Sequence, residues 1–469
     1  MGETTKGTLP QGQGKWTARA RVDALLDAGS FVETNRYLQK ANAVPGRPDV
    51  CVPGEGVVTG WGTIDGQAVC IAVQDSEALG GAFGAGQAEK IAKAMDMAAK
   101  SGYPMLFLWD SNGAKVQEGA AAMHAYTVLL RKMVDLSGVV PTISVAAGAM
   151  LGTAALFAPL SDFTFVVEGA SEVGLKGATV TAAALGLEPD AKKLNGAAAQ
   201  MAAGNAQFCC ADEPKAYAEV KRLLLCLPSN NLEDPPFLQN EDPADRPVTA
   251  DPADVFAYAR QAADGESFLE VQPGYGEEIR TGFASFGGMT CGVVANAGGK
   301  FLTDAACEKA ARFVRILDAY DMPILTFVDN EGVEAAVGHP TMRALAKLSY
   351  AYAEAGSPMV SVLTGKAIGE GYAAMSNKGN GADLVYALPQ AKIGCMNAEA
   401  GSIVLFGGTT EAAADYAETY LSAESAAKQG VVDDIVAPEH IRETIVAALL
   451  TATDKREQKP NRKHGIMPL

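Results

Sequence analysis

Two glycine turns are placed where backbone amides could do chemistry. Leu151-Gly152-Thr153 lies inside VVPTISVAAGAMLGTAALFAPL (139–160), and Gly369-Glu370-Gly371-Tyr372 lies inside MVSVLTGKAIGEGYAAM (359–375). Each turn follows a short apolar run that begins after a proline, the pattern of a buried strand, and precedes small and apolar residues that suit a short helix. At a helix start the first N–H groups have no intrahelical acceptor, and the helix dipole adds partial positive charge. Glycine there lets a substrate atom approach the backbone closely. The combination makes an oxyanion hole, a set of fixed donors where negative charge develops on a carbonyl oxygen. The same pattern also serves plain helix–sheet packing, and one copy alone does not separate the two readings. Two matched copies suit a reaction with two enolate-like partners.

Other chemistries have little support. The four histidines, His124, His339, His440 and His464, stand beside no Ser or Cys nucleophile motif of the GxSxG kind. There is no GxxxxGK[ST] phosphate loop and no HExxH, and the eight cysteines form no CxxC pair and no metal-ligand array. No metal is therefore expected, and the thiols read as reduced, in a cytoplasmic protein. Nucleic acid is an unexpected partner at a net charge of −17, because phosphate backbones are held by basic patches; the basic stretch 455–465 reads as a solvated tail. The N-terminus lacks the apolar core of a signal peptide, and its Met-Gly start comes without a second anchoring signal.

The uncharged run 139–160 is long enough to cross a bilayer, which takes about 20 apolar residues. Pro141, Gly148, Gly152 and Pro159 break it up, and the matching run carries Lys366 and Glu370. Charges at the bilayer centre cost about 2.5–3.5 kcal/mol each, so both runs are expected inside a folded domain.

The elements that must position the turns repeat. EKIAKAMDMAAKSGYPMLFLWDSNG (89–113) matches EKAARFVRILDAYDMPILTFVDNEG (308–332) without a gap, pairing Pro104 with Pro323, Asp110 with Asp329 and Gly113 with Gly332. Pro141, Gly148 and Gly152 match Pro358, Gly365 and Gly369, and DAGSFVE (27–33) echoes DGESFLE (264–270). The polar stretch LPSNNLEDPP (227–236) has linker composition and divides the copies, giving domains 1–235 and 236–469 related by internal duplication. Within the first, VVTGWGTIDGQAVCIAVQD predicts a hairpin about Asp65-Gly66, AGQAEKIAKAMDMAAKSG a helix, and PMLFLWD and PTISVAAG buried strands, an α/β fold.

The segments DALLDAGSFVE, TGWGTIDGQAV, ALGGAFGAGQAEKI, GAKVQEG, LPSNNLEDPP, SYAYAEA, GADLVYALPQAKIG, AAKQGVVDDIV and KHGIMPL carry a family resemblance. From about residue 19 to the end the chain resembles the carboxyltransferase subunit of biotin-dependent acyl-CoA carboxylases and decarboxylases, of the propionyl-CoA carboxylase beta and methylmalonyl-CoA decarboxylase alpha type. The resemblance implies two tandem crotonase-like (ClpP/crotonase superfamily) domains, an acyl-CoA side first and a biotin side second. It implies an active site between the N-terminal domain of one subunit and the C-terminal domain of another, in a hexamer built as a trimer of dimers. It also implies a CoA thioester substrate, biotin carried on a separate biotin carboxyl carrier protein, and separate biotin carboxylase or decarboxylase-pump subunits, through which alone the chain would meet a membrane.

Carried over position by position, the resemblance places thioester-oxygen donors at Gly152 and Thr153 and biotin-oxygen donors at Glu370 and Gly371. Tyr372 belongs to the second turn, and Ala373 falls where the family lines its acyl pocket. Gly80, Gly81, Gly113, Ala114 and Lys115 border the CoA site, with Lys115 a candidate for a CoA phosphate. Thr153 and Glu370 replace glycines of the family's turns, and the stretch 329–355 is shorter than its family counterpart. A Glu370 carboxylate pointing inward would repel a developing oxyanion. Two other readings therefore stay open: a hydratase or isomerase on the same fold, with Glu118 and Glu370 as the candidate carboxylates, and a non-catalytic assembly subunit.

Overall fold

The computed structural model describes residues 16–40, 52–455, 457 and 459–468; the N-terminal motif and Cys51 lie outside them. Two sheets organise the chain. The first has eight strands, in the order Val32–Thr34, Val57–Ile64, Gln67–Gln74, Met105–Ser111, Thr142–Leu151, Phe163–Val167 and Phe208–Cys210, with Glu172–Gly174 paired to the outer part of Thr142–Leu151. The second has nine and repeats the order: Leu269–Val271, Ile279–Phe286, Met289–Asn296, Ile324–Val333, Met359–Ile368, Leu384–Ala387 and Asp434–Ile435, with Lys300–Leu302 and Lys392–Gly394 at the ends of the two longest strands. Each sheet opens with an antiparallel hairpin and continues in parallel. Parallel strands need crossovers, which the helices Ala85–Ser101 and Ala120–Leu136 supply in one half and Asp304–Ala319 and Met342–Glu354 in the other.

Local chemistry accounts for these elements. Asp65 and Gly66 turn the first hairpin with φ of 48° and 85°, and Gly287 and Gly288 the second with 58° and 84°, the double positive φ of the turn that matches strand twist. The echo of DAGSFVE in DGESFLE has a physical meaning here. Asp27 accepts from the N–H groups of Asp65 and Gly66 at 3.0 and 2.9 Å, and Asp264 from those of Gly287 and Gly288 at 2.9 and 2.8 Å. Phe31 and Phe268 in turn cover strand glycines: a Cβ on Gly60 or Gly282 would sit 2.9 or 2.7 Å from these rings. Pro104, Pro141, Pro323 and Pro358 stand just before strands and use only their carbonyls, accepting from the neighbouring strand at 2.8–2.9 Å, which is how a proline is tolerated there. Gly102 ends the first crossover helix in the left-handed conformation.

The two sheets share one apolar core, in which Phe163 meets Phe283 at 5.8 Å between ring centroids. Buried Asp162 accepts from the Tyr320 hydroxyl at 3.0 Å across the same boundary. Residues 227–236 are less free than their composition suggests: Leu227 is buried, Asn230 donates to the Gly102 carbonyl at 3.0 Å, and the Asn231 N–H donates to the Val139 carbonyl at 3.1 Å. Their polar groups close turns of the first half. No helix among the described residues is long and apolar enough to cross a membrane; the run from Thr142 is a buried strand followed by a 3-10 turn and the short helix Phe157–Leu160.

Candidate active site

Each glycine turn sits where a central parallel strand ends. In the first half, Thr142–Met150 is buried throughout; Gly152 then turns the chain with φ +70° into a one-turn 3-10 helix, Gly152–Leu156. A Cβ on Gly152 would meet nothing within 4 Å, so this face of the turn opens outward. Its far end is pinned by Phe157, stacked on Trp109 at 4.7 Å, and the Trp109 indole N–H donates to Ser144 Oγ at 2.9 Å.

The loops expected beside this turn are brought to it. Ala82–Phe83 pairs in parallel with Gly113–Ala114, and a Cβ on Gly113 would lie 3.9 Å from the Leu151 carbonyl oxygen. Leu79, Gly80 and Gly81 are all left-handed, and the Gly81 carbonyl accepts from Ser111 Oγ at 2.8 Å and the Asn112 N–H at 3.0 Å. Gly80, Gly81, Gly113, Ala114, Gly152 and Thr153 thus share one end of the first sheet.

Lys115 is placed differently from expectation. Its side chain is 1% exposed, with the ammonium 2.9 Å from Glu118 Oε1, and Glu118 Oε2 accepts the Ala85 N–H at 2.7 Å at the start of the Ala85–Ser101 helix. A buried ammonium needs a counter-charge, so the ion pair turns Lys115 inward, away from any phosphate in solvent. Glu118 is committed to the same pair, and Glu370 belongs to the other half. The two carboxylates proposed for hydratase chemistry therefore do not face each other in the chain.

In the second half, Gly369 turns the chain with φ +59° into the short helix Gly369–Ala373. The helix lies directly on the end of the Ile324–Val333 strand: a Cβ on Gly371 would be 2.4 Å from Asn330 Oδ1 and 2.7 Å from Gly332 Cα. Glu370 is exposed, and its Oε1 accepts the Val333 N–H at 3.2 Å. Tyr372 is buried with its hydroxyl unpartnered, and burial pushes its pKa up. Gly369, Glu370, Tyr372, Ala373, Cys395 and Tyr416 line a cavity of about 580 Å³.

Both turns rest on scaffolding that sequence matching noted only as paired letters. The Asp110 carboxylate lies under Gly148 and that of Asp329 under Gly365, where a Cβ would come within 2.2 and 2.5 Å of carboxylate atoms. The N–H groups of these aspartates donate at 3.0 Å to the side-chain carbonyls of Gln74 and Asn296, the last residues of the two hairpins. Buried Lys90 donates to the carbonyls of Gly54 and Val57 at 3.1 and 2.5 Å, and buried Lys309 to those of Gln272 and Tyr275 at 3.1 and 2.6 Å. Burial pulls both ammonium groups down to about 8. The signal was present: each lysine follows a matched glutamate, Glu89 or Glu308.

Comparison with known proteins agrees with this duplicated architecture. The carboxyl transferase domain model matches residues 10–467. The chain is 37% identical to the propionyl-CoA carboxylase beta chain of Saccharopolyspora erythraea, over 97% of this chain and 91% of that one. It is 36% identical to the methylmalonyl-CoA decarboxylase subunit alpha of Veillonella parvula, over 97% and 94%. Among solved structures, a transcarboxylase 12S hexamer with methylmalonyl-CoA and methylmalonic acid bound superposes with a TM-score of 0.92 at 35% identity, covering 97% of this chain and 93% of that one. With both sheets, both turns and nearly its whole length inside this match, the chain belongs to the carboxyl transferase family.

Proposed function

We propose that the protein moves a carboxyl group between biotin, held on a separate carrier protein, and the α-carbon of a short acyl-CoA such as propionyl-CoA, with methylmalonyl-CoA as its carboxylated form. The observation that carries this reading is the pair of positive-φ glycine turns, one at the end of each sheet, in a chain of this family. The N–H groups of Gly152 and Thr153 face the charge that develops on the thioester oxygen; those of Glu370 and Gly371 face the ureido oxygen of biotin. Fixed donors of this kind stabilise such charge without reorganising at the moment of reaction. The 580 Å³ cavity, walled by Tyr372, Ala373, Ile393, Tyr416 and Tyr420, fits a bicyclic ring. Biotin, when bound, supplies the carboxyl carrier. The Gly80-Gly81 and Gly113-Ala114 segments border the CoA ester.

The domain boundary falls between residues 235 and 236, supported by Asn231 bonding into the first half while Phe237 bridges to Met289 in the second. A second copy of the chain completes each site by bringing its first half to this second half. Support comes from two duplicated helices with bare apolar faces: Ala178–Leu185, which exposes Val180 and Leu185, and Ala398–Phe406, which exposes Ile403, Val404, Leu405 and Phe406. Patches of this kind mark interaction sites.

The test is carboxyl transfer from methylmalonyl-CoA to free biotin by the purified oligomer, read as propionyl-CoA formed. Biotin-dependent turnover is the expected result. Hydration of an enoyl-CoA without biotin, or binding of the ester with no turnover, would replace this reading.

A further inference from the structure

We propose that Glu370 is a positioning residue for the second turn, its carboxylate latching the turn to the end of the Ile324–Val333 strand; this rests on the reading of that turn as the biotin side. Glu370 Oε1 accepts the Val333 N–H at 3.2 Å and lies where a Cβ on Gly332 would be 3.0 Å away. The carboxylate thus spans the seam between the Gly369–Ala373 helix and the strand end beneath it.

The first half shows why a latch is needed here. There, the segment after the strand is anchored by the Lys115–Glu118 pair at 2.9 Å, with Glu118 Oε2 tied to the Ala85 N–H at 2.7 Å. In the gapless match of residues 89–113 with 308–332, extended onward, Lys115 corresponds to Glu334 and Glu118 to Val337. Val337 is fully exposed, so the matched positions carry no such pair. Thr153, at the place matching Glu370, makes no bond of this kind among the described residues. One half holds its strand-end segment from within that segment, and the other holds it from the turn itself.

A glycine at this position could make no such bond, so in this chain the glutamate stands in for the pair that holds the strand-end segment of the first half. The Val333 N–H needs only an acceptor, so the amide of Gln serves where Ala and Gly fail.

The experiment compares Glu370→Gln, Glu370→Ala and Glu370→Gly in the intact protein by two readouts: hydrogen exchange of the Val333 amide, and carboxyl transfer from methylmalonyl-CoA to free biotin. The Ala and Gly variants are expected to exchange Val333 faster and to lose about 3- to 10-fold in kcat/KM for biotin, the size of one such hydrogen bond, with KM for the acyl-CoA unchanged. Gln is expected to restore both. Unchanged exchange in all three variants, or a Gly variant faster than the parent in transfer, overturns the latch. If the parent protein transfers no carboxyl group at all, the reading of the site falls, and the exchange result alone decides whether the latch exists.

Discussion

Gly371→Ala tests how closely the second turn must be held. The added Cβ would sit 2.4 Å from Asn330 Oδ1, 2.7 Å from Gly332 Cα and 3.2 Å from Gly332 C. Ordinary contact between carbons is about 3.5–4.0 Å, so the helix must retreat from the strand end by on the order of 1 Å. Neither neighbour yields easily. Asn330 is fully buried; its Oδ1 accepts the Gly332 N–H at 3.1 Å and its amide donates to Asn296 Oδ1 at 3.3 Å. Overpacking of this kind costs about 1–3 kcal/mol of stability. A displacement near 1 Å of groups that meet a reacting atom costs about 100-fold in rate. The chain contains its own control, because Ala154 occupies the matching place in the first half and is buried there. Ala154→Gly should therefore cost only about 1 kcal/mol. The assay is carboxyl transfer to free biotin beside urea unfolding of each variant. Parental kcat/KM in Gly371→Ala, with an unshifted unfolding midpoint, would refute the argument that this backbone contact positions the donors.

Three further outcomes are expected. Arg21, 1% exposed, holds Glu213 at 3.0 Å and Asp110 at 3.1 Å; Arg21→Met removes the guanidinium counter-charge from both carboxylates and should cost about 3–5 kcal/mol in urea unfolding, a loss below ~1 kcal/mol counting against it. Lys90 and Lys309 titrate near 8 when folded because burial disfavours their charge, whereas the unfolded chain keeps those protons to about 10.4. The unfolded state binds more protons in that window, so each lysine's contribution becomes more favourable as pH rises, by roughly 2 kcal/mol between pH 7 and 10. Unfolding free energies of Lys90→Met and of the parent across that range should diverge by this amount, and parallel curves would contradict it. Finally, Ile403→Asp places a charge on the bare face of the Ala398–Phe406 helix; sedimentation should show loss of the proposed oligomer with the circular dichroism unchanged, and unaltered sedimentation would count against this face as the interface.

Much of the fold was legible because the forces that make it are local. Asp65-Gly66 can close a hairpin, Gly102 can end a helix, and Pro104 and Pro141 can stand at strand starts wherever those residues fall in space. Duplication added long-range information: two runs with the same punctuation at Gly152 and Gly369 must leave their sheets in the same way, and they do. By itself, then, the sequence determined the elements, their doubling, the two turns and the family. What those turns can do was decided in three dimensions. Lys115 read as a loop cation, yet it is buried because Glu118 and the start of a helix close over it. Glu370 read as a charge set against an oxyanion, yet its carboxylate is tied to Val333, a strand end 37 residues earlier in the chain. The direction of a long charged side chain is set by whichever acceptor, donor or counter-charge the fold brings within about 3 Å, and that neighbour is rarely adjacent in sequence.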